Sequence, residues 1–372
     1  MAFSLRDIFN SFSGSKNTSV LGIDIGSSSI KVVQLKKKDG RAILETYGEL
    51  SLGPYATTDI GRSTILGTEK LAEALNDLLR ESNTTTKNCG LSIPISSSLI
   101  KFIKLPVKND KQVAEMLPIE ARRYIPVPMS EVSLDYWIIP KNEMLVSEFK
   151  GDKKVEASSD TEVLLVAIHN DAINKNKELA RLSEIQSTFS DIEVFSAVRA
   201  IMDPSLSPQM VVDFGARSTK VYVVERGVLR ASHIINRGAQ DITLAISKST
   251  NIPFIEAEKI KRERGLLPNK EDVLLSDVSS LTIDYIFSEA GRFIFNYEKM
   301  SSKKISKMFL TGGGALLKGL KEKAESAFNT PVFLADPFSK VEYPAFLENV
   351  LKEAGPVFAV AVGLAIRKLQ EF

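Results

Sequence analysis

The sequence predicts an α/β protein of two domains, each built around a phosphate-binding β-hairpin, and three observations carry that expectation. First, a nine-residue pattern occurs twice. Asp24-Ile25-Gly26-Ser27-Ser28-Ser29-Ile30-Lys31-Val32 and Asp213-Phe214-Gly215-Ala216-Arg217-Ser218-Thr219-Lys220-Val221 share Asp, Gly, Ser, Lys and Val at one spacing. Second, apolar runs flank each copy, Val20–Ile23 and Val32–Leu35 around the first, Met210–Val212 and Val221–Val224 around the second. Two such runs joined by a Gly/Ser turn read as a hairpin. Third, the apolar run Ile305–Thr311 ends in Gly312-Gly313-Gly314 before a helical stretch. Such a turn lets backbone lie flush against a flat ligand, although it serves equally as a plain strand-to-helix connection.

The hairpin turn dictates the chemistry. Glycine admits close approach, and successive N–H groups with hydroxyls form a concave anion site. An Asp at the end of the first strand cannot face phosphate alone. It makes sense if a largely hydrated Mg²⁺ lies between them. Two facing copies would then grip a di- or triphosphate from both sides.

Composition bounds the remaining classes. The 372 residues suffice for two domains with a substantial core. A formal charge of +2 argues against nucleic acid as the main partner, because backbone binding needs a clear basic excess. The lone cysteine, Cys89, excludes an intramolecular disulfide and fits a reducing compartment. His169 and His233 are too few and too far apart for a metal site, and a structural role is expected for each. No apolar run approaches the ~20 residues of a spanning helix.

Taken in order, residues 1–19 form a flexible or amphipathic leader, with Phe3, Leu5, Ile8, Phe9 and Phe12 at helical spacing before a polar link. The first hairpin continues into a third strand at Arg41–Ser51, a polar turn-rich stretch Tyr55–Gly67, and an amphipathic helix Glu69–Glu81. Short strands follow at Asn88–Pro94 and Leu99–Lys104. Helix Asp110–Tyr124 should kink or restart at Pro118. Strands at Trp137–Ile139 and Thr161–Ile168, a solvated loop Gly151–Asp160 and a helix Asp171–Ile185 complete an inserted αββα-type segment. Helix Ile192–Met202 leads to the second hairpin, strand Arg230–Asn236 and helices that include Glu256–Arg264 and Asp277–Ser301. Gly355–Leu369 is a closing helix of small residues able to cross another helix closely.

This order of hairpin, connecting helix, hairpin, glycine turn and small-residue helix resembles the actin-like (ribonuclease H-like) ATPase superfamily. Within it, Glu120-Ala-x-x-Tyr124-Ile125-Pro126 with Leu134-Asp135-Tyr136, Gly312–Leu320, Ala335-Asp336-Pro337-Phe338 and Gly355–Arg367 resemble the PilM family of type IV pilus assembly, itself similar to FtsA. The resemblance implies a domain I core of residues 20–104, 191–209 and 356–372. It implies an inserted subdomain 1C of the SHS2 kind at 105–190 and a domain II at 210–355, with 2B at about 251–304. Carried over residue by residue, it gives ATP contacts at Gly26, Ser27, Ser28, Ser29, Lys31, Gly215, Arg217, Ser218, Thr219, Glu258, Lys261, Gly312, Gly313 and Leu316. Asp24 and Asp213 fall where Mg²⁺ is held through water, and Glu193 where actin orients the attacking water. Actin has a further acidic residue where this chain has Ala216, so slow or negligible hydrolysis is expected.

By the same resemblance the protein is a cytoplasmic, ATP-binding scaffold of the pilus inner-membrane complex, peripheral to the membrane and associated with twitching motility. Its partner is the N-terminal peptide of a PilN-like membrane protein, held in a groove between the domain I core and the inserted subdomain. Motor ATPases and the platform protein are further partners, and a homo-oligomer is left open. The alternatives are an FtsA-like division protein polymerising at the membrane, from which the six residues after Ile366 depart because FtsA usually carries a membrane-targeting tail, and a kinase of the same superfamily acting on a small acceptor.

Overall fold

The computed structural model describes residues 19–107, 110–139, 161–203, 205–267 and 273–370. The leader through residue 18 and the Gly151–Asp160 stretch lie outside them. The described chain forms two compact units, Pro94–Asn174 and the rest.

In the larger unit, β1 (Ser19–Ile25), β2 (Ser29–Lys38) and β3 (Arg41–Ser51) form an antiparallel meander, and α1 (Thr68–Glu81) leads to β4 (Asn88–Ile93). The near-continuous apolar run of β1 is explained by burial on both faces. Leu21, Ile23, Ile30 and Val32 pack on Leu75 and Leu78 of α1, while Val20, Val33 and Leu35 pack in a cluster with Phe358, Ala361 and Val362.

The smaller unit contains β5 (Ser98–Leu105), α2 (Asp110–Ala121), β6 (Val132–Ile138) and β7 (Thr161–His169). Its sheet has the order β5-β7-β6, all antiparallel. The expected pair of strands is thus joined by β5, whose buried Ile103 and Leu105 share a cluster with Val113, Leu117 and Ala121 of α2. Helix α2 does not restart at Pro118. Pro118 lies in its last turn, where the helix gives up the one N–H bond that proline cannot donate, and the chain leaves the helix at Ala121 through the Tyr124 and Ile125 N–H groups bonded to its carbonyl.

Helix α3 (Asn170–Leu182) returns the chain to the larger unit, where β8 (Gln186–Ile192) pairs parallel with β4. The sequence pattern predicts helix through Ile185 and gives no sign of β8. That strand is polar except for Phe189 and Ile192, so it lacks the alternation that marks a strand. Then follow α4 (Glu193–Ile201), β9 (Gln209–Phe214), β10 (Thr219–Glu225), β11 (Val228–Ile235), α5 (Ala239–Thr250), α6 (Phe254–Arg264), α7 (Val273–Ser301), β12 (Lys307–Thr311), α8 (Leu320–Phe328), β13 (Val332–Leu334) and α9 (Glu348–Gln370).

The repeat seen in the sequence extends to whole sheets. One has the order β3-β2-β1-β4-β8 and the other β11-β10-β9-β12-β13. Each is an antiparallel meander followed by two parallel strands. Helix α9 is long and apolar enough to cross a membrane, yet more than half of that stretch is buried in the protein core. Its small residues set the packing distance. A Cβ at Gly22 of β1 would fall 1.9 Å from the Ala361 carbonyl oxygen, and one at Gly363 would fall 1.9 Å from that of Ser196 in α4.

Candidate functional site

Both hairpins open on one cavity of about 380 Å³ within the larger unit, a volume in the range of small-molecule sites. The turns are alike. Gly26 N–H donates to the Ser29 carbonyl at 3.0 Å, and Gly215 N–H to the Ser218 carbonyl at 3.1 Å. Each antiparallel register sets the repeated Asp directly opposite the repeated Lys, Asp24 against Lys31 and Asp213 against Lys220. In the second hairpin this register closes as a cross-strand ion pair, Lys220 Nζ lying 3.1 Å from Asp213 Oδ2.

Scaffold donors hold the turn carbonyls. Thr64 N–H donates to the Ser27 carbonyl and Leu52 N–H to that of Ser28. In the second turn, the first N–H groups of α5, from Ala239 and Gln240, donate to the carbonyls of Gly215 and Ala216 at 2.9 and 3.0 Å. With those oxygens drawn toward protein donors, Ser27, Ser28, Arg217 and Ser218 line the cavity as an anion-favouring rim.

The glycine turn closes another wall. Gly312 has φ +83°, a conformation strained for other residues, and a Cβ there would lie 2.5 Å from Asp213 Oδ1. Its N–H and the Thr311 hydroxyl both donate to the Pro356 carbonyl in α9. Ala239, Ile242, Leu316 and Leu317 supply apolar lining.

Beside them, Glu258 accepts from Lys261 Nζ at 2.7 Å, the Thr243 hydroxyl at 2.6 Å and Arg262 Nε at 2.7 Å. Burial raises the Glu258 pKa, but the Lys261 charge and these hydrogen bonds more than offset it and leave the carboxyl below its usual range. Asp24 behaves oppositely. Its burial raises the carboxyl above the ordinary Asp value despite the opposing charges of Lys31 and Lys220.

Lys220 sits between two carboxylates, 2.7 Å from Glu193 Oε2 and 3.1 Å from Asp213 Oδ2. Burial alone would lower its pKa. The Asp213 and Glu193 charges prevail and raise it, so the ammonium stays protonated. Glu193 is in the first turn of α4, where the helix dipole also favours a negative charge.

Every residue carried over from the resemblance lines this cavity except Thr219. Thr219 begins β10 fully buried, its hydroxyl donating to the Arg237 carbonyl at 2.9 Å. Lining residues that the resemblance does not carry over include Glu49, Gly61, Lys220, Arg262 and Pro356. The repeat itself points to Lys220, because it stands where Lys31 stands in the first copy.

A strap from the turn-rich stretch between β3 and α1 also reaches the site. Gly61 packs on Glu258, Arg62 lies over the Phe254 ring at 4.4 Å, and Ser63 N–H donates to the Gln240 side chain at 3.0 Å.

Paired sheets of one strand order, with both hairpins opening on a shared cavity, define the actin-like ATPase fold. Solved structures share it. One, described as the PilM-PilN type IV pilus biogenesis complex, superposes with a TM-score of 0.77 at 24% identity, covering 94% of this chain and 98% of that one. MreB5 of Spiroplasma citri bound to AMPPNP gives 0.52 at 11% identity, covering 95% and 96%. Among curated proteins, the cell division protein FtsA of Buchnera aphidicola subsp. Baizongia pistaciae is 23% identical, covering 87% of this chain and 85% of its own length. The family model for type IV pilus assembly protein PilM matches residues 22–369, and the chain belongs to that family.

Proposed function

We propose that the protein is an ATP-binding scaffold of the type IV pilus inner-membrane complex, and that it binds the cytoplasmic N-terminal peptide of a PilN-like membrane protein. Membership of the PilM family supports the assembly role. The carrying observation for the nucleotide is the pair of Asp-Gly hairpins opening on one cavity, with the glycine turn and the Glu258–Lys261 pair beside it. Phosphates would meet Ser27, Ser28, Lys31, Arg217 and Ser218, and the adenosine would lie against Gly312, Gly313 and Leu316. Glu258 and Lys261 would contact the ribose and base.

A Mg²⁺ at Asp24 and Asp213 finds an incomplete fit. Asp213 Oδ2 already accepts from Lys220, and among the described residues no three acidic, His or Cys side chains gather to ligate a metal directly. Slow turnover follows from the chain's own groups. Glu193, the residue matched to water positioning, is engaged by the Lys220 ammonium, and Ala216 supplies no carboxylate.

The test is isothermal titration of the full chain with the N-terminal peptide of the neighbouring PilN-like protein, with and without ATP. Saturable one-to-one binding is the expected result, and its absence in both states overturns the scaffold reading. The FtsA relatives favour one competing reading, polymerisation at a membrane. Nucleotide-dependent sedimentation of the full chain with liposomes in the absence of any partner would establish it.

A further inference from the structure

We infer that Lys220 is a tethered counter-cation that takes the place of a divalent metal ion beside the nucleotide phosphates. The inference rests on the nucleotide reading above and extends it to how that site is regulated. Lys220 lines the cavity, and its ammonium bridges the carboxylates of Asp213 and Glu193 at 3.1 and 2.7 Å. These are the acid near the end of β9 and the acid that opens α4. A water-bridged metal ion and an attacking water would need these same two groups.

Both Asp213 oxygens have close neighbours. Oδ2 accepts from Lys220, while Oδ1 packs so closely on Gly312 that a Cβ there would lie 2.5 Å away. The floor behind the pair is low in dielectric. Tyr222, two residues along β10 and on the same face as Lys220, is 1% exposed and its hydroxyl has no hydrogen-bond partner. Charges in such a setting act strongly on one another.

The first hairpin provides the contrast. Lys31 pairs with Glu49, whose carboxylate is 3.8 Å away and 43% exposed, so its ammonium is far less committed. Lys31 is therefore the lysine that reaches phosphate. Lys220 instead lowers the negative charge of the Asp213–Glu193 pair from two to one, which roughly halves that pair's attraction for a divalent ion and its repulsion toward a polyphosphate. It also holds Glu193 in an ion pair, which keeps that carboxylate from orienting water or accepting a proton.

Equilibrium titration of the full chain with a fluorescent ATP analogue, in excess Mg²⁺ and in EDTA, tests this directly. Wild-type affinity is expected to agree within about threefold between the two conditions, and Lys220→Met to lose about tenfold or more in EDTA and recover it in Mg²⁺. A wild-type protein that loses about tenfold in EDTA would overturn the tethered cation while leaving nucleotide binding intact. A Lys220→Met variant that folds and binds equally well with and without metal would overturn it too. Binding in neither condition sinks both readings. Should Lys220→Met not fold, the wild-type comparison still decides.

Discussion

The two hairpins begin from one pattern and end with different chemistry. Both close on a Gly N–H to Ser carbonyl bond, and both set Asp against Lys across the strands. What distinguishes them comes from outside the repeat. The first meets Glu49 across the meander, on a partly exposed strand, whereas the second meets Glu193 at the start of a buried helix. The shared pattern therefore sets the geometry of two similar turns. The neighbouring elements then leave Lys31 in a looser, partly exposed pair and hold Lys220 between two carboxylates.

The largest effect should come from breaking that division. Lys220→Met leaves Asp213 and Glu193 buried without their shared cation and is expected to cost about 3–5 kcal/mol of folding stability. Lys31→Met removes a looser pair and should cost about 1 kcal/mol or less. Urea denaturation of the two variants checks the contrast. Equal costs would show that the hairpins are not differentiated.

The second hairpin also carries a steric commitment to the glycine turn. A Cβ at Gly314 would meet the Phe214 ring at 1.7 Å, while one at Gly313 meets nothing within 4 Å. Gly314→Ala should therefore destabilise by about 1–3 kcal/mol through overpacking. Gly313→Ala should stay within about 0.5 kcal/mol in the same denaturation series.

Much of this was legible in the sequence, and the reasons are specific. The hairpins and α1 announced themselves through apolar runs, stripes and turn residues, and the triple glycine marked a close approach that Gly312 and Gly314 make. What escaped was of two kinds. β8 and β13 carry little pattern, the first because it is polar and the second because it has three residues, two of them exposed. Lys220 was visible as a letter in the repeat, but its role depends on Glu193, a residue that no local spacing brings beside it. Thr219 shows the converse, since a position expected in the loop is the buried first residue of a strand.

The acid of the first hairpin should also make stability depend on pH. Burial raises the Asp24 carboxyl above its ordinary value of 3.8, so the folded protein holds that proton more tightly than the unfolded chain. Its contribution to stability is therefore greatest below the unfolded value and declines as pH rises toward the folded one. Asp24→Asn removes the cost of the buried charge and should stabilise the protein at neutral pH, with the gain shrinking as the pH falls to about the unfolded value. Asp213→Asn, which takes a carboxylate from Lys220, should instead destabilise at neutral pH. Thermal denaturation of both variants at neutral pH reads the opposite signs, and repeating it at acidic pH for Asp24→Asn reads the shrinking gain.

The smallest expected effect probes how each turn is anchored. The second turn is bonded by the first N–H groups of α5, which belong to the same half of the repeat. The first turn is bonded at Ser27 by Thr64, the residue after Ser63, whose N–H reaches across to Gln240 of α5. Gln240 thus links the strap of one hairpin to the helix that holds the other. Gln240→Ala removes one partly buried hydrogen bond and should cost about 1 kcal/mol. The informative readout is local hydrogen exchange. Amides of the strap around Ser63 and Thr64 should exchange faster while those at the start of α5 keep their protection, because the N–H groups of Ala239 and Gln240 remain bonded to the second turn. Equal loosening on both sides would mean that the two turns share one anchor.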